Sequence, residues 1–337
     1  MGSIEVGTES HISGARRLLQ VFGLSPERSR SSMRLSDRLF KLVTLLFAAL
    51  IAGIVLFMVV EMVVNSKLPF QKFGLSFLWS STWDPVFEKF GALPFIFGTV
   101  VSSLIALLFA VPVSIGIAIF LVEQAPRKLA GPISFVIQLL AAIPSVVYGV
   151  WGIFVLAPTL REYVYPHLQS VLGFLPLFKG NQNGLGLLTA GIILAIMTLP
   201  IITAVAADVL RAVPNTQREA ALALGATKWE ATLVVLQNSW PGIIGAVILG
   251  LGRAFGETMA VTMVIGNRHE ISASLLAPSF TIASAIANEF TDATSDIYLQ
   301  SVIALGLILF IITFIINALA RLMVWRITKH QGGSVHA

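Results

Sequence analysis

The sequence contains no cysteine, so disulfide bonds, thiol nucleophiles and cysteine metal sites are excluded. It also has little charge: 12% of its 337 residues are Asp, Glu, Lys or Arg, where a soluble domain has about 25%. Hydrophobic residues make up 56% of the chain, and the mean hydropathy is +0.87. Because a soluble core of this length could not bury so much apolar surface, the composition indicates a membrane protein.

Two sequence signals are also missing. The chain has no Gly-Lys dipeptide, which the phosphate-binding P-loop of an ATPase requires. If ATP drives this protein, the motor must therefore be a separate chain. The first 38 residues are polar and lack an apolar core of the signal-peptide type, so no cleaved signal is expected. This segment is interpreted as a solvated tail, either regulatory or disordered.

Six apolar segments are each long enough to cross a hydrocarbon core of about 30 Å, which takes about 20 helical residues. We therefore predict an all-α integral membrane protein with six transmembrane helices in a domain over 39–326, between polar tails at 1–38 and 327–337. Prolines within three of these segments are expected to mark kinks. The segments are 40–64, 94–122, 132–157, 185–209, 241–266 and 299–324, and the prolines are Pro112, Pro144 and Pro200.

The distribution of basic residues gives the orientation of the predicted spans. With the N-terminus inside, the internal segments hold 15 Lys and Arg residues and the external loops hold 6. The positive-inside rule then places both termini in the cytoplasm. The sequence pI of 9.7 is explained in the same way, so it does not indicate nucleic acid binding.

The long internal connection before the fifth span, residues 213–241, contains two capping-box patterns that predict helix starts. Gly225 lies between them, where a left-handed residue would end the first helix. We predict two short helices joined by a sharp glycine turn. Such a unit either docks another protein or rests on the membrane surface. The two patterns are Thr216 with Glu219 and Thr227 with Glu230.

The fifth span contains Arg253 and Glu257, which are four residues apart and therefore expected on one helical face, near the predicted middle of the membrane. A lone charge there costs roughly 2.5–3.5 kcal/mol on insertion scales, so two charges must pair or face an aqueous path. Thr258 and Thr262 extend this polar face. Either the pair only locks helix packing, or it lies on a substrate path. Gly252 and Gly256 form a G-x3-G pattern that allows close approach of another helix.

Arginine narrows the class of substrate that such a path would carry. Its planar, permanently charged fork matches carboxylate or phosphate in a bidentate geometry. Glu257 would hold the arginine and keep the empty site near neutral. It could also accept a hydrogen bond from a protonated oxyanion such as monohydrogen phosphate. Sulfate at neutral pH has no such proton to donate.

The internal connection resembles a known motif. Glu219, Ala220 and Ala221, followed by Gly225, match the EAA-x3-G motif of ABC importer permeases. In that family this segment is the coupling helix, which docks into a groove on the ATPase subunit. Many members have a Leu-Pro pair further along, whereas this sequence has Gln237-Asn238 near that place. The helix after Gly225 is therefore expected to leave the loop differently.

The fifth span shows a resemblance to a narrower group within that family. The stretch GLGRAFGETMAVTMVIGN, from Gly250 to Asn267, resembles the phosphate-specific ABC permeases, the PstC type in particular. FGALPFIFGTVVSS (Phe90–Ser103) and IASAIANEF (Ile282–Phe290) are similar to the same family. The resemblance runs from about residue 36 to 326.

This resemblance implies the type I ABC importer permease architecture in a bacterial cytoplasmic (inner) membrane. The implied partners are a PstA-like permease, a dimer of a PstB-like ATPase and a periplasmic or extracellular phosphate-binding protein. ATP and Mg would be bound by the partner ATPase, and this chain would hold no cofactor and perform no covalent step. Arg253, Glu257 and Thr258 would then lie on the phosphate path.

Several alternatives stay open at this point. A permease for sulfate or molybdate would keep the coupling loop but lack the phosphate-type fifth span. A secondary transporter or anion channel would use a buried Arg–Glu pair without needing the EAA segment. Before the sixth span, Asn288 and Glu289 either receive the binding protein or cap a helix. His269 and Glu270 lie in the same external loop, where a single histidine gives a metal site little support.

Overall fold

The structure, a computed structural model, describes residues 26–180 and 183–331. The predicted N-terminal tail up to residue 25 and the last six residues lie outside the described part. Within it the backbone is helical apart from loops and two isolated β-bridges. The chain divides into two compact units, Met1–Glu61 and Met62–Ala337. The prediction of an all-helical membrane protein is confirmed.

The helices are numbered here in chain order. The longer ones are α1 (Pro26–Val64), α4 (Leu93–Ile119), α5 (Arg127–Ala142), α9 (Leu187–Arg211), α11 (Lys228–Phe255) and α14 (Asp296–Gln331). The shorter ones are α2 (Lys67–Phe73), α3 (Ser76–Trp79), α6 (Ser145–Trp151), α7 (Ala157–Thr159), α8 (Tyr165–Leu172), α10 (Asn215–Ala223), α12 (Met259–Val264) and α13 (Ile282–Glu289). Three π-helical turns and one 3-10 turn complete the helical structure of the described residues: Phe120–Gln124, Gly152–Leu156 and Leu160–Val164, and Pro176–Phe178.

Five helices in the described residues are long and apolar enough to span a membrane, and a sixth span exists if one bent pair counts as one. The bent pair corresponds to the third predicted segment. Its two halves, Lys128–Ala142 and Ser145–Leu172, meet at 89°. The five continuous helices are Leu35–Phe73, Leu93–Gln124, Leu187–Arg211, Lys228–Phe255 and Asp296–Arg326.

Pro144 explains the break in the third segment. A proline disfavours helical backbone in the residue before it, and Ile143 is extended, with ψ at 127°. The expected kink is therefore a full interruption here. Pro112 and Pro200, in contrast, remain inside α4 and α9.

Helix α9 is the centre of the second unit. It packs mainly against α4 and α11, and two-thirds of its apolar window is buried. Gly191 allows the close approach to α4, because a Cβ atom added there would lie 2.3 Å from Cγ2 of Ile105. The Ser114 hydroxyl, on α4, donates to the Leu199 carbonyl on α9 over 3.1 Å.

A second core lies around the start of α4 and is rich in aromatic side chains. We call Trp83, Phe90, Phe95, Phe280 and Tyr298 the aromatic cluster; each is less than a tenth exposed. Their rings meet at centroid distances of 4.8–6.2 Å, several of them edge to face. Since α4 has 27 residues, its two ends are roughly 40 Å apart. The aromatic cluster therefore lies far from the π-helical turn Phe120–Gln124, which follows the other end of α4.

Candidate functional site

The predicted glycine turn of the coupling loop is present. Helix α10 ends at Ala223, and Gly225 has φ at +89°. The amide of Ala226 donates to the Ala221 carbonyl over 3.1 Å, and the amide of Gly225 donates to the Leu222 carbonyl over 3.0 Å. This is the Schellman pattern of helix termination, for which a glycine in the left-handed region is favoured.

The two predicted capping boxes have different outcomes. Thr227 caps α11: its hydroxyl accepts from the Glu230 amide over 3.3 Å, and the Glu230 carboxylate accepts from the Thr227 amide over 2.7 Å. The capping box at Thr216 is wrong, because α10 begins at Asn215 after Pro214 and has no side-chain cap. A proline before the first turn already supplies the extended backbone that starts a helix.

The second helix of the loop is not short. Helix α11 runs without interruption from Lys228 to Phe255, so the second half of the loop and the first half of the fifth span are one helix. The prediction of two short helices is wrong for this reason. Pro241 lies inside α11 and does not end it.

The EAA-x3-G residues form one exposed surface. Glu219, Ala220 and Gly225 are exposed, and Ala221 is half-buried. Two large apolar side chains beside them are also exposed, Leu224 at 90% and Trp229 at 55%. A small-residue helix face flanked by exposed apolar side chains is a surface suited to protein docking.

Arg218, which the sequence did not single out, anchors this surface to the rest of the molecule. Its Nη2 donates to Oε1 of Glu123 over 2.6 Å, and its Nε donates to the same oxygen over 3.0 Å. The sequence gives no sign of this pair, because the partners are 95 positions apart. Arg218 is adjacent to the EAA motif, and that adjacency is the one signal that could have drawn attention to it.

Asn238 stands near the place where related sequences are expected to have Leu-Pro. Its Nδ2 donates to Oε1 of Gln217 over 2.7 Å and so connects α11 to α10. The departure from the family pattern therefore has a structural counterpart, an amide–amide hydrogen bond between the two helices of the loop.

The second candidate site is the charged pair of the fifth span, and it lies at a helix break. Helix α11 ends at Phe255 and α12 begins at Met259, so Glu257 lies between them. The expectation that Arg253 and Glu257 share one helical face is therefore wrong, but the pair itself is present. Nη1 of Arg253 lies 2.9 Å from Oε2 of Glu257.

The two members of this pair differ in exposure. The Glu257 side chain is 3% exposed and that of Arg253 is 43% exposed. The other oxygen of Glu257, Oε1, accepts from the Ala260 amide over 3.3 Å. Glu257 is thus buried, with one oxygen in an ion pair and the other in a hydrogen bond, and the side chain of the arginine that it holds stays 43% exposed. A guanidinium has five N–H donors, so this fork is available to an anion.

The threonines of the same region are oriented mainly by local bonds. The Thr258 hydroxyl lies 3.4 Å from the Gly256 carbonyl. The Thr262 hydroxyl donates to the Thr258 carbonyl over 2.7 Å and lies 3.0 Å from the Ser284 hydroxyl on α13. Thr262 therefore connects α12 to α13, while Thr258 is half-buried beside the Arg253 pair.

The predicted packing glycines face open space within the described part of the chain. No atom of the described residues lies within 4 Å of a Cβ built on Gly252, apart from the helix's own neighbouring backbone. At Gly256 the nearest atom is the Gly252 carbonyl oxygen, at 3.7 Å. A close helix partner for this face would have to come from outside the described part of the chain.

The aromatic cluster surrounds the carboxylate of Glu289, for which the sequence left two roles open, capping a helix or receiving the binding protein. Glu289 does not cap a helix; it is the last residue of α13. Its carboxylate accepts from Trp83 Nε1 over 3.2 Å and from the Tyr298 hydroxyl, and it lies 3.2 Å from Nε2 of His269. Burial raises the pKa of Glu289, but these three hydrogen bonds outweigh it and leave that pKa below its ordinary value.

His269 is held in the same cluster by aromatic rings. Its ring centroid is 5.1 Å from that of Phe280 and 5.5 Å from that of Phe95. Glu270, the neighbour that was weighed with it as a metal ligand, is exposed. Among the described residues no group of three or more His, Cys, Asp or Glu side chains is placed to hold a metal ion.

The fold is similar to that of a chain in a solved ABC transporter. A chain of the crystal structure of a bacterial alginate ABC transporter, in complex with alginate pentasaccharide-bound periplasmic protein, superimposes with a TM-score of 0.57. The match covers 85% of this chain and 95% of that chain at 17% sequence identity. At this identity the likeness shows a shared fold.

The chain belongs to the family of binding-protein-dependent transport system inner membrane components, whose model matches residues 110–329. It is 50% identical to a phosphate transport system permease protein PstC of Mesorhizobium japonicum, over 88% of this chain and 93% of the relative. It is 45% identical to a protein of the same name from Pasteurella multocida, over 91% of this chain and 97% of the relative. The chain is therefore an inner-membrane permease subunit and not itself an ATPase.

Proposed function

We infer that this chain is the transmembrane permease subunit of an ATP-driven importer of inorganic phosphate, and that it forms half of the translocation path. The observation that carries the inference is the identity of 45–50% to phosphate transport permeases over nearly the whole length of both chains. The expected EAA surface and the Arg253–Glu257 pair agree with such a role. ATP is bound by the partner ATPase, and this subunit has no cofactor of its own.

The proposed topology has six spans with both termini in the cytoplasm. The bent pair Lys128–Ala142 and Ser145–Leu172 is then counted as the third span. The excess of basic residues in the segments assigned to the inside supports this orientation. It places α10 on the cytoplasmic side and the aromatic cluster on the opposite side, consistent with their positions at the two ends of α4.

The proposed partners are a PstA-like permease, a PstB-like ATPase dimer and an external phosphate-binding protein. Helix α10 would dock on the ATPase through Glu219, Ala220 and Ala221. The open face at Gly252 and Gly256 would receive a helix of the partner permease, since a face without side chains permits close packing in a membrane.

Arg253 is the proposed cationic contact in the phosphate path. Its side chain is more than two-fifths exposed within the described part of the chain and is held by a buried carboxylate. A preorganised arginine binds tetrahedral oxyanions through paired N–H···O bonds. Glu257 balances the charge of the empty site, and with Thr258 it shapes the path next to the arginine.

The test is ATP-driven uptake of labelled phosphate into proteoliposomes that contain the four-component complex. In Arg253→Gln we expect uptake to fall at least about tenfold, on the scale of one lost charge-assisted contact, while ATP hydrolysis continues. The control is Arg268→Gln, which removes an exposed arginine of the following loop and should leave uptake unchanged. Excess unlabelled sulfate or molybdate should not compete.

A second set of variants tests whether α10 docks on the ATPase. Glu219→Lys should abolish the dependence of ATP hydrolysis on the binding protein, whereas Glu270→Lys, the same charge change at another exposed position, should not. Phosphate movement without any ATPase present would show that the chain is a channel or secondary carrier. Competition by sulfate would assign the path to another oxyanion.

A further inference from the structure

Arg218 makes an unusually complete set of hydrogen bonds at the start of the coupling helix. Beyond its bonds to Glu123, its Nη1 donates to the Val213 carbonyl over 3.0 Å and to Oδ1 of Asn215 over 3.1 Å. Its Nη2 also donates to the Leu210 carbonyl, in the last turn of α9, over 3.2 Å. One side chain thus connects α10 to the ends of two long helices.

Glu123 lies in the π-helical turn Phe120–Gln124, which continues α4 beyond Ile119. Both partners are largely removed from solvent, with side-chain exposures of 9% for Glu123 and 18% for Arg218. A bidentate arginine–carboxylate pair fixes both distance and orientation, and low exposure strengthens its hydrogen bonds. Turns of this π type occur preferentially at functional positions in helices.

The nearby pair between Arg211 and Asp208 has a different character. It joins residues three positions apart on α9 itself, at 3.2 Å, and its side chains are 50% and 76% exposed. Exposed ion pairs of this kind contribute little to stability. It therefore serves as a matched comparison: an arginine–carboxylate pair close in sequence to the coupling helix, but one that connects no second element.

We propose that Arg218 is a positioning residue that clamps the coupling helix α10 to the end of α4, so that a displacement imposed on α10 by the ATPase moves α4 with it. This inference rests on the proposed docking role of α10. Helix α4 packs along α9 and carries Phe95 of the aromatic cluster at its far end. The clamp therefore transmits movement to a helix that extends through the unit to its opposite side.

The first test compares phosphate imported per ATP hydrolysed in the reconstituted four-component complex. Arg218→Gln and Glu123→Gln should each lower this ratio roughly tenfold, the scale of one lost charge-assisted interaction, while the ATPase still co-purifies. Arg211→Gln should leave it unchanged. The single variants Arg218→Glu and Glu123→Arg should also lower this ratio. The double variant that carries both changes should recover part of the loss. An unchanged ratio in Arg218→Gln, or an equal loss in Arg211→Gln, would overturn the proposal.

A second measurement does not depend on transport. Because the chain has no cysteine, spin labels can be attached at Lys128→Cys on α5 and Thr216→Cys on α10, both exposed positions. The distance distribution between them in the complex should be narrow, and Arg218→Gln should broaden it where Arg211→Gln does not. Equal widths in all three proteins would overturn the clamp. This readout needs no phosphate, so an error in the substrate assignment would leave it interpretable.

Discussion

At the scale of single residues, the two members of the Arg253–Glu257 pair have different roles: the buried carboxylate holds the arginine, and the arginine stays exposed. The carboxylate is buried; one oxygen forms an ion pair with Arg253 and the other accepts from the Ala260 amide. The arginine is exposed and keeps donors that its partner does not use. A buried charge is tolerated when it is paired and hydrogen-bonded. This division lets the protein keep an accessible cation in a largely apolar segment.

The carboxylate of Glu289 leads to a prediction about pH. Because its pKa in the folded protein is below the ordinary value of 4.5, the ionised form stabilises the fold. This stabilisation is complete above pH 4.5 and is lost as the pH falls through the lowered pKa. Thermal unfolding of the complex should show Glu289→Gln less stable at pH 7, and the difference from the intact protein should close only in the acidic range.

Glu270→Gln is the control for that measurement, since its carboxylate is exposed. It should unfold like the intact protein at every pH. A difference between Glu289→Gln and the intact protein that already closes between pH 7 and pH 5 would contradict the proposed role of the Glu289 carboxylate.

At the scale of secondary-structure elements, the interruptions in the helices position the site. The third apolar segment is bent at Pro144, and the fifth is broken between Phe255 and Met259. Because of the second break, Glu257 lies outside the helix that carries Arg253. The 28 residues of α11 extend roughly 40 Å. This single helix thus connects the glycine turn of the coupling loop to the arginine.

The two threonines of the coupling loop allow a paired test of this description. Thr227→Ala removes a capping box and should lower the free energy of unfolding by about 1 kcal/mol. Thr216→Ala removes a threonine that caps no helix and should have an effect within about 0.5 kcal/mol. Denaturation of the purified complex measures both. Equal losses in the two variants would show that the threonine at 216 also caps α10.

At the scale of the whole molecule, the coupling helix α10 and the aromatic cluster lie at opposite ends of α4. The proposed topology places the first in the cytoplasm and the second outside, so cysteine labelling can test it on a chain that has no cysteine of its own. A membrane-impermeant maleimide should modify Val86→Cys in intact spheroplasts and Lys128→Cys only after permeabilisation. Both positions are exposed. The reverse pattern would invert the orientation.

Much of this architecture could be predicted from the sequence. The membrane helices could be predicted from the length of the apolar segments, since a helix of about 20 apolar residues is long enough to cross the hydrocarbon core. The Gly225 turn and the Thr227 cap were predicted because they depend on residues within a few positions of one another. The predicted cap at Thr216 failed although its pattern was the same, because Pro214 already starts that helix.

The sequence alone determined the membrane environment, the absence of a P-loop and the family to which the chain belongs, since these depend on composition and on contiguous motifs. The tertiary structure alone decided where the fifth span breaks and which charges meet across the fold. The pairing of Arg218 with Glu123 and the bonds from Trp83 and Tyr298 to Glu289 join positions far apart in the chain or on different elements. Such contacts depend on how helices pack, and no local pattern of residues encodes them.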